Sequence, residues 1–160
     1  PQVETDVKPG LRYQREFRPG FTGGVDLGAT VGNRADGWKV CSVQESGQLR
    51  GRLPRDWVLD LTLTHHGTLA QTGQWLQAAT AGASVSRVLR TGASASLSYR
   101  WGVSASSEEG RSQEAALRWA EPWWIGTYFA EARWSQRSKS SDPLYTREWW
   151  WVSTGMRIAF

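Results

Sequence analysis

The feature that most constrains the fold of this chain is a period-two alternation of apolar and polar residues, which recurs in short segments. The clearest segment runs from Ala93 to Val103, where apolar residues at the odd positions alternate with serines, Arg100 and Gly102. Successive side chains of a β-strand point to opposite faces, so such a segment has one apolar and one polar face. No long stretch has apolar residues at the i, i+3, i+4, i+7 spacing of an amphipathic helix. The sequence therefore predicts an all-β, antiparallel fold.

Eight such segments lie between residues 20 and 160, separated by residues rich in Gly, Pro, Asp and Ser. They span 21–31, 38–41, 57–64, 77–89, 93–103, 114–119, 123–134 and 144–160. We therefore predict an up-and-down antiparallel barrel of eight strands over residues 20–160, since turn residues between alternating runs are typical of such a fold. Residues 1–19 are predicted to be an N-terminal tail, placed in the periplasm, or an additional strand, because residues 11–17 also alternate.

Composition limits the other classes of protein that the chain could belong to. It has no run of about 18 apolar residues, so a transmembrane helix is not expected. The net charge of +4 is modest and the basic residues are scattered, so we expect no nucleic-acid partner. Cys41 is the single cysteine, which excludes an intrachain disulfide, and we place it on the polar side of its segment. The 11 tryptophans are a feature that a soluble fold does not readily explain.

The last segment carries the motif that relates the chain to a family. Trp150, Val152, Met156, Ile158 and Phe160 share one face of the predicted strand, which ends on that aromatic residue. This pattern resembles the C-terminal insertion signal of Gram-negative outer-membrane β-barrels, and the chain looks similar to the small OmpA/OmpX-like members. The resemblance implies a multi-pass protein of the outer membrane, with lipids and lipopolysaccharide as neighbours and no cofactor. It also implies recognition by the barrel assembly machinery and leaves open an envelope protein partner.

Connection lengths and aromatic positions agree with a transmembrane barrel. With Phe160 at the periplasmic rim, the connections 53–56, 90–92 and 120–122 lie on the periplasmic side and are short. The opposite connections, 32–37, 65–74, 104–113 and 135–142, are mostly longer, as transmembrane barrels show. The aromatic residues predicted to form two rings at the membrane–water interfaces are Phe21, Trp38, Trp57, Trp101, Trp119, Trp124, Trp134, Trp150 and Phe160.

The charged residues of the predicted strands lie on the face opposite the apolar one. If the apolar face meets lipid, these side chains point into the barrel, where they form a lumen charge network or line a narrow water-filled path. The predicted lumen residues are Asp26, Asp60, Arg100, Arg118, Glu131, Arg133, Arg147 and Arg157. The alternative is a soluble barrel of the avidin or lipocalin kind, with the apolar face inside and these charges in water.

Three hypotheses about function follow from this fold. The first is an integral outer-membrane barrel with a structural, anchoring or surface-interaction role and a largely plugged lumen. The second is a narrow pore, or one part of a larger transport or export barrel, since residues 11–17 would add a strand. The third is a lipid A-modifying enzyme at the outer rim, where His65 and His66 are candidate bases. We nominate no catalytic residue and no metal site, because partners at ligand spacing are missing.

Overall fold

The computed structural model describes residues 5–33, 39–70, 72–104, 110–124, 126–139, 142 and 146–158. These residues form one antiparallel sheet with strands β1 (Thr5–Val7), β2 (Gly10–Arg18), β3 (Phe21–Asn33), β4 (Lys39–Leu53), β5 (Trp57–Leu69), β6 (Trp75–Val88), β7 (Ser94–Ser104), β8 (Arg111–Trp123), β9 (Gly126–Ser138) and β10 (Thr146–Ile158). A short 3-10 turn, Pro54–Asp56, connects β4 with β5. Among the described residues, no helix has the length and apolar character of a membrane span.

Each strand from β3 to β10 pairs with its neighbours in the chain. β1 and β2 both pair with β3, at Val7–Val31 and Gly10–Gly28, so they are consecutive parts of one edge. The sheet is therefore nine strands wide, with β2 and β10 at its edges. This confirms the predicted all-β, up-and-down antiparallel fold: the eight predicted segments correspond to β3–β10, and the N-terminal segment supplies an edge strand. Within the described ranges the two edges are not paired with each other, and closure into a barrel stays a prediction.

Cross-strand register divides the sheet into two faces, because residues directly opposite one another in neighbouring strands share a face. Leu97 of β7, for example, lies opposite Val85 of β6 and Leu117 of β8. We call the face that carries these residues the apolar face and the other one the polar face. Of the 28 large apolar side chains that are exposed in the described part of the chain, 23 lie on the apolar face. The sheet is thus strongly two-faced.

The described part of the molecule has no compact apolar interior. Ala93 is its buried apolar residue, Ser135 is its buried polar one, and no large side chain there is fully buried. Backbone ladders therefore hold the strands together, whereas the apolar side chains remain uncovered. Soluble monomers seldom expose a contiguous apolar patch larger than about 300–600 Å². A face that extends over nine strands is much larger than this.

The connections differ between the two ends of the sheet. At what we call the short end, the connections 19–20, 54–56, 89–93 and 124–125 hold two to five residues. At the long end, the connections 34–38, 70–74, 105–110 and 139–145 hold five to seven residues. In the turn at the short end of β6, Gly92 has a φ of 84°, a left-handed conformation that glycine tolerates and other residues rarely adopt. The predicted difference in connection length is present.

Three predicted connections are nevertheless displaced. His65 and His66 lie inside β5, so the connection to β6 starts later than predicted. Residues 120–122 lie inside β8, and the turn that follows falls at residues 124–125. β9 continues to Ser138, past the predicted end of its segment. In each case the polar residues continue the ladder, because backbone hydrogen bonding decides where a strand ends.

Candidate functional site on the polar face

All eight residues of the predicted lumen charge network lie on the polar face. Register places Asp26, Asp60, Arg100, Arg118, Glu131, Arg133, Arg147 and Arg157 there. On β2–β10 the same face carries six further charged residues that the sequence analysis did not include: Arg12, Glu16, Arg50, Arg52, Glu114 and Arg137. Strict alternation along complete strands would have found them. That this face encloses a lumen stays a prediction.

The most compact part of this network is centred on Arg133 in β9. Its guanidinium nitrogens lie 3.0 Å from a carboxylate oxygen of Glu114 on β8 and 2.8 Å from one of Glu131 on the same strand. The centre of the Trp151 ring on β10 lies 4.8 Å from the guanidinium carbon, within cation–π range. The side chains of Arg133, Glu114 and Glu131 are only 38%, 32% and 15% exposed. Partial removal from water strengthens these contacts relative to those of fully solvated ion pairs.

Two further ion pairs connect strands nearer the β2 edge. The Arg12 Nε donates to Asp26 at 2.5 Å between β2 and β3, and the Arg50 Nε lies 3.7 Å from an Asp60 oxygen between β4 and β5. In both pairs the partners are directly opposite in the register. Opposite charges at such positions stabilise strand pairing and help to fix the register.

Arginine exceeds carboxylate on the polar face. Strands β2–β10 place nine arginines and five carboxylates on it, and no lysine. A cavity of about 410 Å³ near the middle of the face is lined by Asp60, Arg100, Glu114 and Arg133, among other residues of β5–β9. A polar cavity of this size holds several water molecules that can bridge the charged groups. The site can therefore keep ions hydrated and paired, and it carries a net positive charge.

The predicted interface aromatics follow the apolar face where the structure describes them. Register places Phe21, Trp57, Trp101, Trp119, Trp134 and Trp150 on that face. Trp124 lies in the turn after β8 and is 85% exposed, whereas Trp38 and Phe160 lie outside the described residues. Trp123 also lies on the apolar face, and the displaced turn is the reason why the sequence analysis missed it.

One pair of these indoles has a common polar partner. Glu148 accepts hydrogen bonds from Nε1 of Trp134 at 2.6 Å and from Nε1 of Trp150 at 3.3 Å, and the two rings lie 6.1 Å apart. Each ring thus combines an apolar surface with a satisfied polar atom. Of the predicted insertion signal, Trp150, Val152, Met156 and Ile158 share the apolar face of β10, and Phe160 is outside the described residues.

The two histidines considered for catalysis are separated by the sheet. His65 lies on the apolar face, where its Nδ1 is 3.6 Å from a Glu45 carboxylate oxygen. His66 lies on the polar face, where its Nε2 is 2.7 Å from the Thr68 hydroxyl. A reaction centre cannot use both rings from one side. The described ranges also contain no group of three side chains able to hold a metal ion.

Cys41 was predicted on the polar side of its segment, and this placement is wrong. It lies directly opposite Val31, on the apolar face. The sequence analysis assigned the two faces of segment 38–41 from the apolar side chain of Trp38. The observed pairing of β4 with β3 is offset by one residue from that assignment. A shift of one residue moves every side chain of a strand to the other face.

Comparison with known proteins adds no family to this geometry. No family model matches the chain, and no curated protein and no solved structure gave a match. The two faces of the sheet are therefore the basis for any functional assignment.

Proposed function

We propose that this chain forms the wall of a transmembrane β-barrel in a Gram-negative outer membrane, with its apolar face toward lipid and its polar face toward the lumen. The observation that carries the proposal is the separation of the faces: 23 of the 28 exposed large apolar side chains lie on one face, and the ion pairs around Arg133 lie on the other. Exposure of apolar surface to water costs about 25 cal/mol per Å², and contact with lipid removes this cost.

The apolar face has the height of a bilayer core. Three strands have a nine-residue stretch in which the side chains on the apolar face are uncharged and mostly apolar. These stretches are 95–103 on β7, 126–134 on β9 and 150–158 on β10. A tilted strand of about 9–11 residues crosses a membrane. Toward the long end the runs on β9 and β10 stop at one level, because Gln136 and Glu148 follow them and are direct partners in the register, and Gln113 of β8 lies at the same level. This level fits a membrane–water boundary.

A structural, anchoring or surface-interaction role suits the polar face better than free diffusion of solutes. Phe129, Trp149 and Trp151 share this face with the charge network, and the interior of a small barrel has room only for side chains. The proposed neighbours are outer-membrane lipids and lipopolysaccharide at the apolar face, together with the assembly machinery that inserts barrels. Surface interactions would use the connections at the long end.

A wider transport or export barrel is the second candidate, and the number of strands favours it. The sheet has nine strands, so its edge strands β2 and β10 run in the same direction. Single-chain bacterial barrels have an even number of antiparallel strands. Closure therefore needs either a parallel pair between β2 and β10 or further strands, which a larger barrel would contain.

Spin labels on two neighbouring residues of β7 test the orientation. In a Cys41→Ser background, a cysteine replaces either Leu97 on the apolar face or Ser98 on the polar face, and the protein is refolded into phosphatidylcholine vesicles. We expect the label at residue 97 to collide mainly with dissolved oxygen, which concentrates in lipid, and the label at residue 98 to lack this preference. The proposal fails if residue 97 prefers a water-soluble nickel chelate, or if the chain stays folded and monomeric in buffer without detergent.

A further inference from the structure

The sheet ends in two edges that run in the same direction. One edge is longer than β2 alone, because β1 and β2 lie along β3 in one continuous register, and the Ala29 N–H donates to the Pro9 carbonyl between them at 3.0 Å. This edge covers residues 5–18, and the other edge is β10. Both run from the long end to the short end, so a pair formed between them is parallel.

The strands are staggered along the sheet, and the stagger sets the register in which the two edges meet. A straight row of directly opposite residues leads from Tyr13 on β2 to Glu148 on β10. β3 extends eight residues beyond this row toward the long end and four toward the short end, whereas β10 extends two and ten. The strands thus shift by six residues across the sheet, and closure of a barrel requires such a stagger. Continued to the next strand, it places Tyr13 opposite Thr154, six residues past Glu148, and residues 5–16 opposite 146–157.

This register brings an acid and a base together at the short end of the polar face. Glu16 of β2 comes opposite Arg157 of β10, and opposite charges at such positions stabilise a strand pair. Arg157 lies opposite Thr127 of β9, and no carboxylate of the described ranges forms an ion pair with it. Glu16 accepts the Gly20 N–H at 3.1 Å, and a carboxylate has room for a further donor. The stagger was measured from backbone pairing alone, so the match of charges is an independent observation.

We propose that the two edges pair in parallel within one chain, with Glu16 opposite Arg157, and close a nine-stranded barrel. The inference rests on the proposed function and names the partner of each edge. Pairing within the chain is favoured over pairing with a second copy, because edges of one chain meet at a high effective concentration. It also needs one parallel pair where a ring of two copies needs two, and parallel pairs are slightly less stable per residue. Side chains fill the interior of so small a barrel, which supports the structural role over a wide pore.

Paired cysteines test the closure and its register. In a Cys41→Ser background, Glu16→Cys is combined with Arg157→Cys, and the chain is refolded at high dilution into phosphatidylcholine vesicles. A bifunctional thiol reagent matched to the spacing of neighbouring strands, about 4.8 Å, should give a cross-linked monomer. The control combines Glu16→Cys with Ser153→Cys, four residues away on the same face of β10, and should react much less. A cross-linked dimer assigns the edges to two copies and overturns the inference, as does an equal yield from both pairs or no cross-link.

An exchange of the two charges gives a second readout. Arg157→Glu places two carboxylates opposite each other and should lower the folding equilibrium constant by about fivefold. Addition of Glu16→Arg to this variant should restore most of the loss, because the pair is then reversed. At an open edge the second substitution would only remove the Gly20 contact, so a further loss overturns the inference. The label at residue 97 reports the membrane orientation separately: if it prefers oxygen while the cross-link fails, this inference falls and the proposed function stands.

Discussion

An arginine placed at the centre of the apolar face tests the membrane orientation through its energetic cost. Val152 is the seventh of the 13 residues of β10, its side chain is 76% exposed, and Ala132 lies directly opposite. Val152→Arg therefore removes no side-chain hydrogen bond and no ion pair. Its effect on stability reports the environment of that face, and that environment is what the proposal specifies.

The expected magnitude follows from the depth of the residue in the bilayer. On the lipid-facing side of a barrel, an arginine costs about 2–4 kcal/mol at the midplane and about 0–1 kcal/mol near the interfaces. Since about 1.4 kcal/mol corresponds to a factor of ten, Val152→Arg should lower the folding equilibrium constant by about 30- to 700-fold. Thr146→Arg is the matched control, because Thr146 lies on the same face of β10 but at its long end. This substitution should lower the free energy of unfolding by less than about 1 kcal/mol.

Unfolding by urea in phosphatidylcholine vesicles, followed by tryptophan fluorescence, measures both free energies. Ser153→Arg provides a second control, since Ser153 lies opposite Glu131 on the polar face and the new cation gains a carboxylate partner. We expect this variant to be neutral or slightly more stable. The reasoning is refuted if Val152→Arg costs no more than Thr146→Arg, or if Ser153→Arg is the most destabilised of the three.

Two other perturbations examine the charge network and the pairing of β9 with β10. Glu114→Gln should lower the free energy of unfolding by about 1 kcal/mol, because Arg133 loses a partly buried carboxylate partner. A double-mutant cycle with Arg133→Gln should give a coupling energy of about 0.5 kcal/mol or more. Strict additivity of the two substitutions would exclude a direct interaction. Gly126→Ala places a methyl group against the backbone carbonyl of Arg157, so it should cost about 1–3 kcal/mol. Gly47→Ala has open space around the new methyl group, so the free energy of unfolding should stay the same or rise. Similar unfolding curves for the two alanine variants would contradict the observed register.

Alternation revealed a strand wherever its two faces carry contrasting side chains, and it failed where they do not. β7 has serines on one face and Ala95, Leu97, Tyr99 and Trp101 on the other, so its sequence pattern is unambiguous. In β4 the apolar face carries Glu45, which is paired with His65, and two glycines. Only 38–41 was therefore predicted from a strand that runs over Lys39–Leu53. A charge whose partner comes from the next strand cannot be recognised along one strand.

The partners of the polar-face charges could not be predicted for a related reason. Arg133 is directly opposite Ala116 and reaches Glu114 diagonally, two residues along β8. This contact depends on the register of β8 with β9, which the turn at residues 124–125 sets. The sequence analysis placed that turn at 120–122, because Glu121-Pro122 is typical of a turn. The face of each charge was therefore predictable, whereas its partner was not.

The membrane orientation and the state of the sheet edges depend on each other. Every second residue of an edge strand turns its backbone N–H and C=O away from the sheet, and in hydrocarbon each unpaired group costs several kcal/mol. β10 has 13 residues and β2 has nine. The unpaired backbone groups of two open edges in lipid would therefore cost more free energy than the total unfolding free energy of a typical domain, about 5–15 kcal/mol. Neither strand contains the lysine or proline that protects natural exposed edges. In a membrane both edges must therefore be paired, and the β10 amides that do not bond to β9 should resist hydrogen exchange in vesicles. If those amides exchange freely while their β9-bonded neighbours are protected, the edge is open and the membrane orientation is wrong.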